Sequence, residues 1–217
     1  MKCKKYLIPL SILFIPLILN SQIIDEYGVK LAFTQSKVDP KEEAYHTSWR
    51  SGLNVGFFAE KGVYKMIHAV IQLEYASKGY RLKSIEMDEY GNRIQTVWAN
   101  TRLDYVSMPL FLKIINNNSK YKPFIQVGPR LDYLFNFKRG IFKFSEVEVR
   151  DEIPSLLYLN SFSVGSSLSL GFYLPIMDSE KLLIEVRYNS DFSDIPSESN
   201  VFFGKGISYD FWLGYSF

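Results

Sequence analysis

Cysteine is nearly absent. The one cysteine, Cys3, stands in the first few residues. Once a leader containing it is removed, no disulfide, thiolate nucleophile or Cys-ligated metal remains. Histidine is scarce too: His46 and His68 are the two in the chain, 22 residues apart, a poor basis for a zinc site. Charge of one sign is missing, with 25 Lys and Arg against 23 Asp and Glu, so no nucleic-acid partner is indicated. Beyond the first twenty residues there is no apolar run of the length a membrane-spanning helix needs.

Aromatic residues are in excess. Fifteen Tyr and 17 Phe in 217 residues favour strands over helices. The 47% hydrophobic content excludes a disordered chain, and the length suits one domain.

The N-terminus reads as a secretory leader. Lys2, Lys4 and Lys5 precede the uncharged stretch Tyr6 to Leu19, and Leu19-Asn20-Ser21 offers a small residue for cleavage. We expect residues 1–21 to be a signal peptide cut after Ser21, and 22–217 to form the mature domain. Losing three lysines takes the formal charge from +2 to −1.

Period-2 alternation runs through the mature chain in eight segments, roughly 26–35, 48–60, 65–78, 98–114, 121–136, 160–174, 181–192 and 207–217. In the last, Ile207, Tyr209, Phe211, Leu213, Tyr215 and Phe217 share a face. Ser208, Asp210, Trp212, Gly214 and Ser216 take the other. Segment seven sets Leu182, Ile184, Val186 and Tyr188 against Glu185, Arg187, Asn189 and Asp191. The connections between segments have 12, 4, 19, 6, 23, 6 and 14 residues. Long alternating with short is the order of an outer-membrane barrel, with short periplasmic turns and long extracellular loops. The expected fold is therefore all-β: an eight-stranded antiparallel up-and-down transmembrane β-barrel.

Segment four is awkward. Val106, Met108, Leu110 and Leu112 make a lipid face, but the same parity brings up Asp104 and Arg102. Either these two lie above the apolar belt or a bulge shifts the phase.

Five stretches resemble the PorT-type outer-membrane β-barrel family of Bacteroidetes. They are Gly28-Val-Lys-Leu-Ala, Leu73-Glu-Tyr-Ala-Ser-Lys-Gly79, Leu103-Asp-Tyr-Val-Ser-Met-Pro-Leu-Phe-Leu-Lys113, Lys122-Pro-Phe-Ile-Gln-Val-Gly-Pro129 and Glu185-Val-Arg-Tyr-Asn189. The resemblance implies an eight-stranded barrel in the cell outer membrane, and one branch of the family serves protein secretion. The terminal Leu213, Tyr215 and Phe217 resemble the signal read by the barrel assembly machinery.

The small bore of such a barrel is filled by side chains. Candidate interior charges are Lys30, Arg50, Glu74, Arg130, Asp132, Glu185, Arg187 and Asp210, with Glu60, Lys78 and Asp191 beside them. A structural ion network is the expected role, since buried charges need partners. Tyr27, Trp49, Tyr80, Trp98, Tyr121, Tyr188 and Tyr215 are candidates for an interfacial aromatic girdle.

The leading reading is a non-enzymatic scaffold or interaction protein in outer-membrane lipid, without cofactor, metal or catalytic residues. Its partners would be other envelope or secretion proteins. Two other readings compete. One is a soluble, secreted, lipocalin-like ligand binder, which requires the apolar faces to point inward. The other is an outer-membrane lipid-modifying enzyme built on His46 or His68 with a nearby Ser.

Overall fold

A computed structural model describes residues 24–40, 46–87, 90, 93–142, 147–150, 161–176, 180–194 and 204–217. The expected leader and its cleavage site lie outside the described residues. The described chain is strand throughout, apart from turns. The strands are β1 (Glu26–Pro40), β2 (His46–Ser48), β3 (Arg50–Tyr64), β4 (Ile67–Met87), β5 (Arg93–Ile115), β6 (Pro123–Phe142), β7 (Val147–Arg150), β8 (Phe162–Pro175), β9 (Lys181–Asp194) and β10 (Gly204–Ser216).

Pairing runs β1-β3-β4-β5-β6-β8-β9-β10, every neighbour antiparallel. β10 then returns to β1 in unbroken register, Gly28 opposite Ser216 and Pro40 opposite Gly204. Eight long strands thus close into a barrel, each paired on both sides through its lower part. β2 carries the line of β3 upward against β4, and β7 folds back on the top of β6.

The alternation decides which face is inside. Tyr27, Val29, Leu31 and Phe33 are exposed, while Gly28, Lys30, Ala32 and Thr34 are buried. On β10, Tyr209, Phe211 and Leu213 are exposed, and Asp210, Trp212 and Gly214 are buried. A continuous apolar belt faces outward around the barrel and the polar side chains fill the bore. That polarity is opposite to a water-soluble barrel, so the lipocalin-like reading fails.

Several connections are shorter than the alternation implied. Residues 79–97 do not form a long loop, because β4 runs to Met87 and β5 starts at Arg93. β6 continues to Phe142, and β7 occupies part of the third connection. At 21, 23 and 20 residues, β4, β5 and β6 outlast the 14, 14 and 13 of β8, β9 and β10. A bilayer crossing needs about 9–11 residues. One side of the barrel therefore stands well above the membrane. Arg81 and Lys83 face outward there and Leu82 inward, so the period of two persists with charge where lipid-facing residues had been apolar.

Asp104 and Arg102 keep the outward phase of Val106. The irregularity sits on the neighbouring strand. Asp104 pairs with Asn136 and Tyr105 with Leu134, so Phe135 is an extra residue, a β-bulge on β6. The bulge flips β6, placing Phe137 inside where the even-numbered Asp132 and Leu134 had been.

Candidate functional site: the barrel interior

The bore is packed in layers. Near the short turns, Phe58, Val70, Phe111, Ile115, Phe124, Tyr173 and Leu183 form an apolar cluster. Glu60 lies among them, with the Lys113 ammonium 2.5 Å from its carboxylate and the Tyr173 hydroxyl donating at 3.1 Å. The Lys113 ammonium also sits 4.2 Å from the centre of the Phe124 ring. The Nδ1 of His68 lies 2.8 Å from the other Glu60 oxygen.

The next layer is centred on Arg187. Its Nη1 donates to both Glu74 oxygens at 2.9 and 3.1 Å, and its Nε and Nη2 to Glu185 at 2.8 and 2.7 Å. Lys30 lies 2.8 Å from Glu74 and 4.1 Å from the centre of the Trp212 ring. Gln126 donates to Glu185 at 3.1 Å. Trp212 is wholly buried and presents its π face to both cations, with the Arg187 guanidinium 5.0 Å away.

A third layer joins Asp132 to Lys78 at 2.7 Å and to the Arg130 Nε at 2.9 Å. Arg130 Nη2 donates to Asp191. Asp210 accepts from Thr34 and from Asn189, the latter at 2.7 Å. Above this lies a second apolar cluster of Val38, Ala76, Leu103, Tyr105, Leu134 and Phe137. Between the two is a cavity of about 10 Å³, lined by Lys78, Tyr105 and Asp191 among others. That volume holds about one water molecule.

Lys30, Glu74, Arg130, Asp132, Glu185, Arg187 and Asp210 thus lie inside and are brought together in two ion-paired layers. Arg50 does not join them. Pairing of β3 with β4 stops at Asn54 and Ala76. Arg50 turns aside above that point, donates to the Lys78 carbonyl at 3.1 Å, and lies across Gly79 towards Arg102 and Asp104. Lys113 and Asp104 are buried charges that the alternation had not marked. Lys113 shares its parity with Phe111 and Ile115, so the lower part of β5 is apolar on both faces and hides a lysine.

At the ends of the strands, Trp49, Tyr209 and Tyr188 pack outside the barrel at 5.6 and 5.3 Å between ring centres. At the other end Tyr27 stacks on Phe217 at 5.5 Å, and Phe217 donates its backbone N–H to the Tyr27 carbonyl at 2.9 Å. These rings suit the two headgroup levels. Tyr80 departs from that expectation and packs inward against the upper apolar cluster, because it shares the parity of Glu74 and Lys78. The Trp98 side chain lies outside the described residues.

The two histidines are far apart. His46 pairs with Lys83 near one end of β4, whereas His68 is at the other. Fifteen residues of strand separate those positions, roughly 50 Å at about 3.3 Å per residue. They cannot share a site. Among the described residues no cluster of three or more His, Cys, Asp or Glu is arranged to hold a metal.

A closed antiparallel barrel with an apolar exterior and an ion-paired interior is an outer-membrane β-barrel protein. The sequence agrees. The family model described as outer membrane protein beta-barrel domain matches residues 20–196, and the chain belongs to that family. No curated protein matches it in sequence. Among solved structures, Neisserial surface protein A is similar at 12% identity and a TM-score of 0.47, covering 88% of this chain and 95% of its own. OprG from Pseudomonas aeruginosa is similar at 13% identity and a TM-score of 0.41, again over 88% and 95%. Ail of Yersinia pestis is similar at 11% identity and 0.39, over 88% and 98%.

Proposed function

We propose that this chain is a non-enzymatic scaffold or interaction protein of the outer membrane. It is exported by cleavage after Ser21, inserted by the barrel assembly machinery through the Leu213, Tyr215 and Phe217 signal, and engaged with other envelope proteins. Protein secretion of the PorT type is the specific process we assign. The observation that supports an interaction role is the filled bore. Two apolar clusters cap the ion-paired layers, so among the described residues the bore is packed with side chains, which leaves the outer surfaces to meet partners. The raised wall of β4, β5 and β6, the three longest strands described, offers one such surface.

Gentle detergent extraction of the native membrane, affinity purification and mass spectrometry test this. Stoichiometric recovery of secretion components supports the assignment. Recovery of other envelope proteins keeps the scaffold role and removes secretion. Recovery of the barrel alone, at full yield in the outer-membrane fraction, counts against a stable partner.

A further inference from the structure

The outer face of the raised wall carries positive charge at one level. Arg81 on β4 and Lys138 on β6 are exposed, and Lys138 pairs directly with Arg102 on β5. The Arg102 side chain is 43% exposed. Arg50 lies across Gly79, within electrostatic reach of both Arg81 and Arg102. Arg102 is held in place from below. Its Nε donates to Asp104 at 2.8 Å and its Nη2 to the Tyr75 hydroxyl at 2.6 Å. Asp104 is further fixed by Tyr75 at 3.0 Å and by Asn136 at 2.7 Å. Asp104 is 2% exposed, so it positions Arg102 without presenting negative charge outward. The Nε of Arg50 is buried and has no protein hydrogen-bond partner.

The height of this group on the wall identifies its partner. The apolar lipid face of β5 ends at Val106, four residues along the strand from Arg102, about 13 Å below it. Directly below, Tyr75 and Phe135 pack together at 6.0 Å between ring centres on the outer wall. A molecule seated here touches rings and aliphatic residues with its lower part and guanidinium groups with its upper part. A phosphorylated lipid of the outer leaflet has that layout. Guanidinium groups match phosphate in charge and in paired N–H geometry.

We propose that Arg50, Arg81, Arg102 and Lys138 form a binding site for the phosphate groups of an outer-leaflet glycolipid of the lipid A type. Asp104 and Tyr75 are positioning residues that hold Arg102 towards the headgroup.

The test uses the full mature barrel, folded in nanodiscs of zwitterionic lipid. Diphosphoryl lipid A and the same lipid stripped of phosphate are titrated in, and retention is read by native mass spectrometry. Arg81→Ser with Lys138→Ser removes two cations that have no described interior contact. Lys120→Ser, in the turn at the opposite end, is the control. Heat-modifiable migration on gels establishes that each variant is folded. The wild type and Lys120→Ser should retain diphosphoryl lipid A, and the double variant should bind it about 30-fold more weakly. Phosphate-free lipid should bind all three alike. Equal retention of the two lipids by the wild type, or equal affinity in the double variant, overturns the site. Tighter binding of soluble inorganic polyphosphate than of lipid A overturns the lipid assignment in favour of an extracellular polyanion.

Discussion

Arg187 on β9 reaches straight across the bore to Glu74 on β4, gripping both carboxylate oxygens at 2.9 and 3.1 Å. Four strand steps separate β9 from β4 in either direction around the barrel, so the pair ties opposite walls together. Glu74 also holds Lys30 at 2.8 Å. Removing the carboxylate strands two cations in a water-poor bore. Glu74→Ala should therefore destabilise the folded barrel by about 3–5 kcal/mol. Glu74→Gln, which keeps acceptor capacity, should cost less. Urea unfolding in detergent micelles, followed by tryptophan fluorescence, separates them. Equal stability of Glu74→Ala and wild type would show that the cross-bore pair holds nothing.

Leu213 is the matching test of the outer face. It is 48% exposed, pairs with Leu31 on β1 and Ile184 on β9, and lies within the apolar belt. Leu213→Arg should cost about 2–4 kcal/mol in a bilayer if it lies at mid-depth. Leu213→Ala should cost much less, because lipid fills the space. The readout is the folded fraction in vesicles across a urea series. Similar tolerance of Arg and Ala would place this face away from the lipid core.

These two residues also show what the sequence could reveal. Leu213 and Leu31, Arg187 and Glu185 belong to strands with one clean apolar face, and there the alternation alone assigns inside and outside. It fails where that contrast is lost. Lys113 stands between Phe111 and Ile115 on a stretch apolar on both faces, and its partners Glu60 and Tyr173 are 53 and 60 residues away. On the raised wall, Arg81 and Lys83 alternate with buried Leu82, but charge outside looked like loop rather than strand. The bulge at Phe135 is a property of register between two strands, which no single segment encodes. Nor does local sequence show that Arg50 leaves the interior, because that depends on where β3 and β4 stop pairing.

Gly79 marks that parting of strands. Its φ is +147°, and a Cβ there would stand 2.0 Å from the Thr101 carbonyl oxygen. The Ser36 hydroxyl bridges from β1 to its N–H and C=O, both at 2.9 Å. Only glycine adopts this backbone without strain and lets β5 and the Arg50 stem approach so closely. Gly79→Ala should destabilise by at least about 1–3 kcal/mol. The loss is expected in the upper wall first, read as faster hydrogen exchange in residues 77–82 while β8 and β9 stay protected. Unchanged exchange at those positions would remove the requirement for glycine.

Phe217 separates assembly from stability. In the folded barrel it contributes one backbone hydrogen bond to Tyr27 and ring contacts with Tyr27 and Tyr215, the latter at 5.0 Å. It is 51% exposed to the surroundings of the wall and fills no interior space. Deleting it should therefore lower stability by only about 1 kcal/mol, the worth of a hydrogen bond and a partly exposed ring pair. Its effect in the cell should be far larger, because the terminal aromatic is what we assign to recognition by the assembly machinery. The expected result is near-normal refolding of the truncated barrel in detergent, with several-fold less heat-modifiable protein in the outer-membrane fraction. A truncated chain that reaches the membrane at wild-type levels would confine Phe217 to a packing role. One that fails to refold in detergent would make the residue structural, and the terminal signal would lose its support.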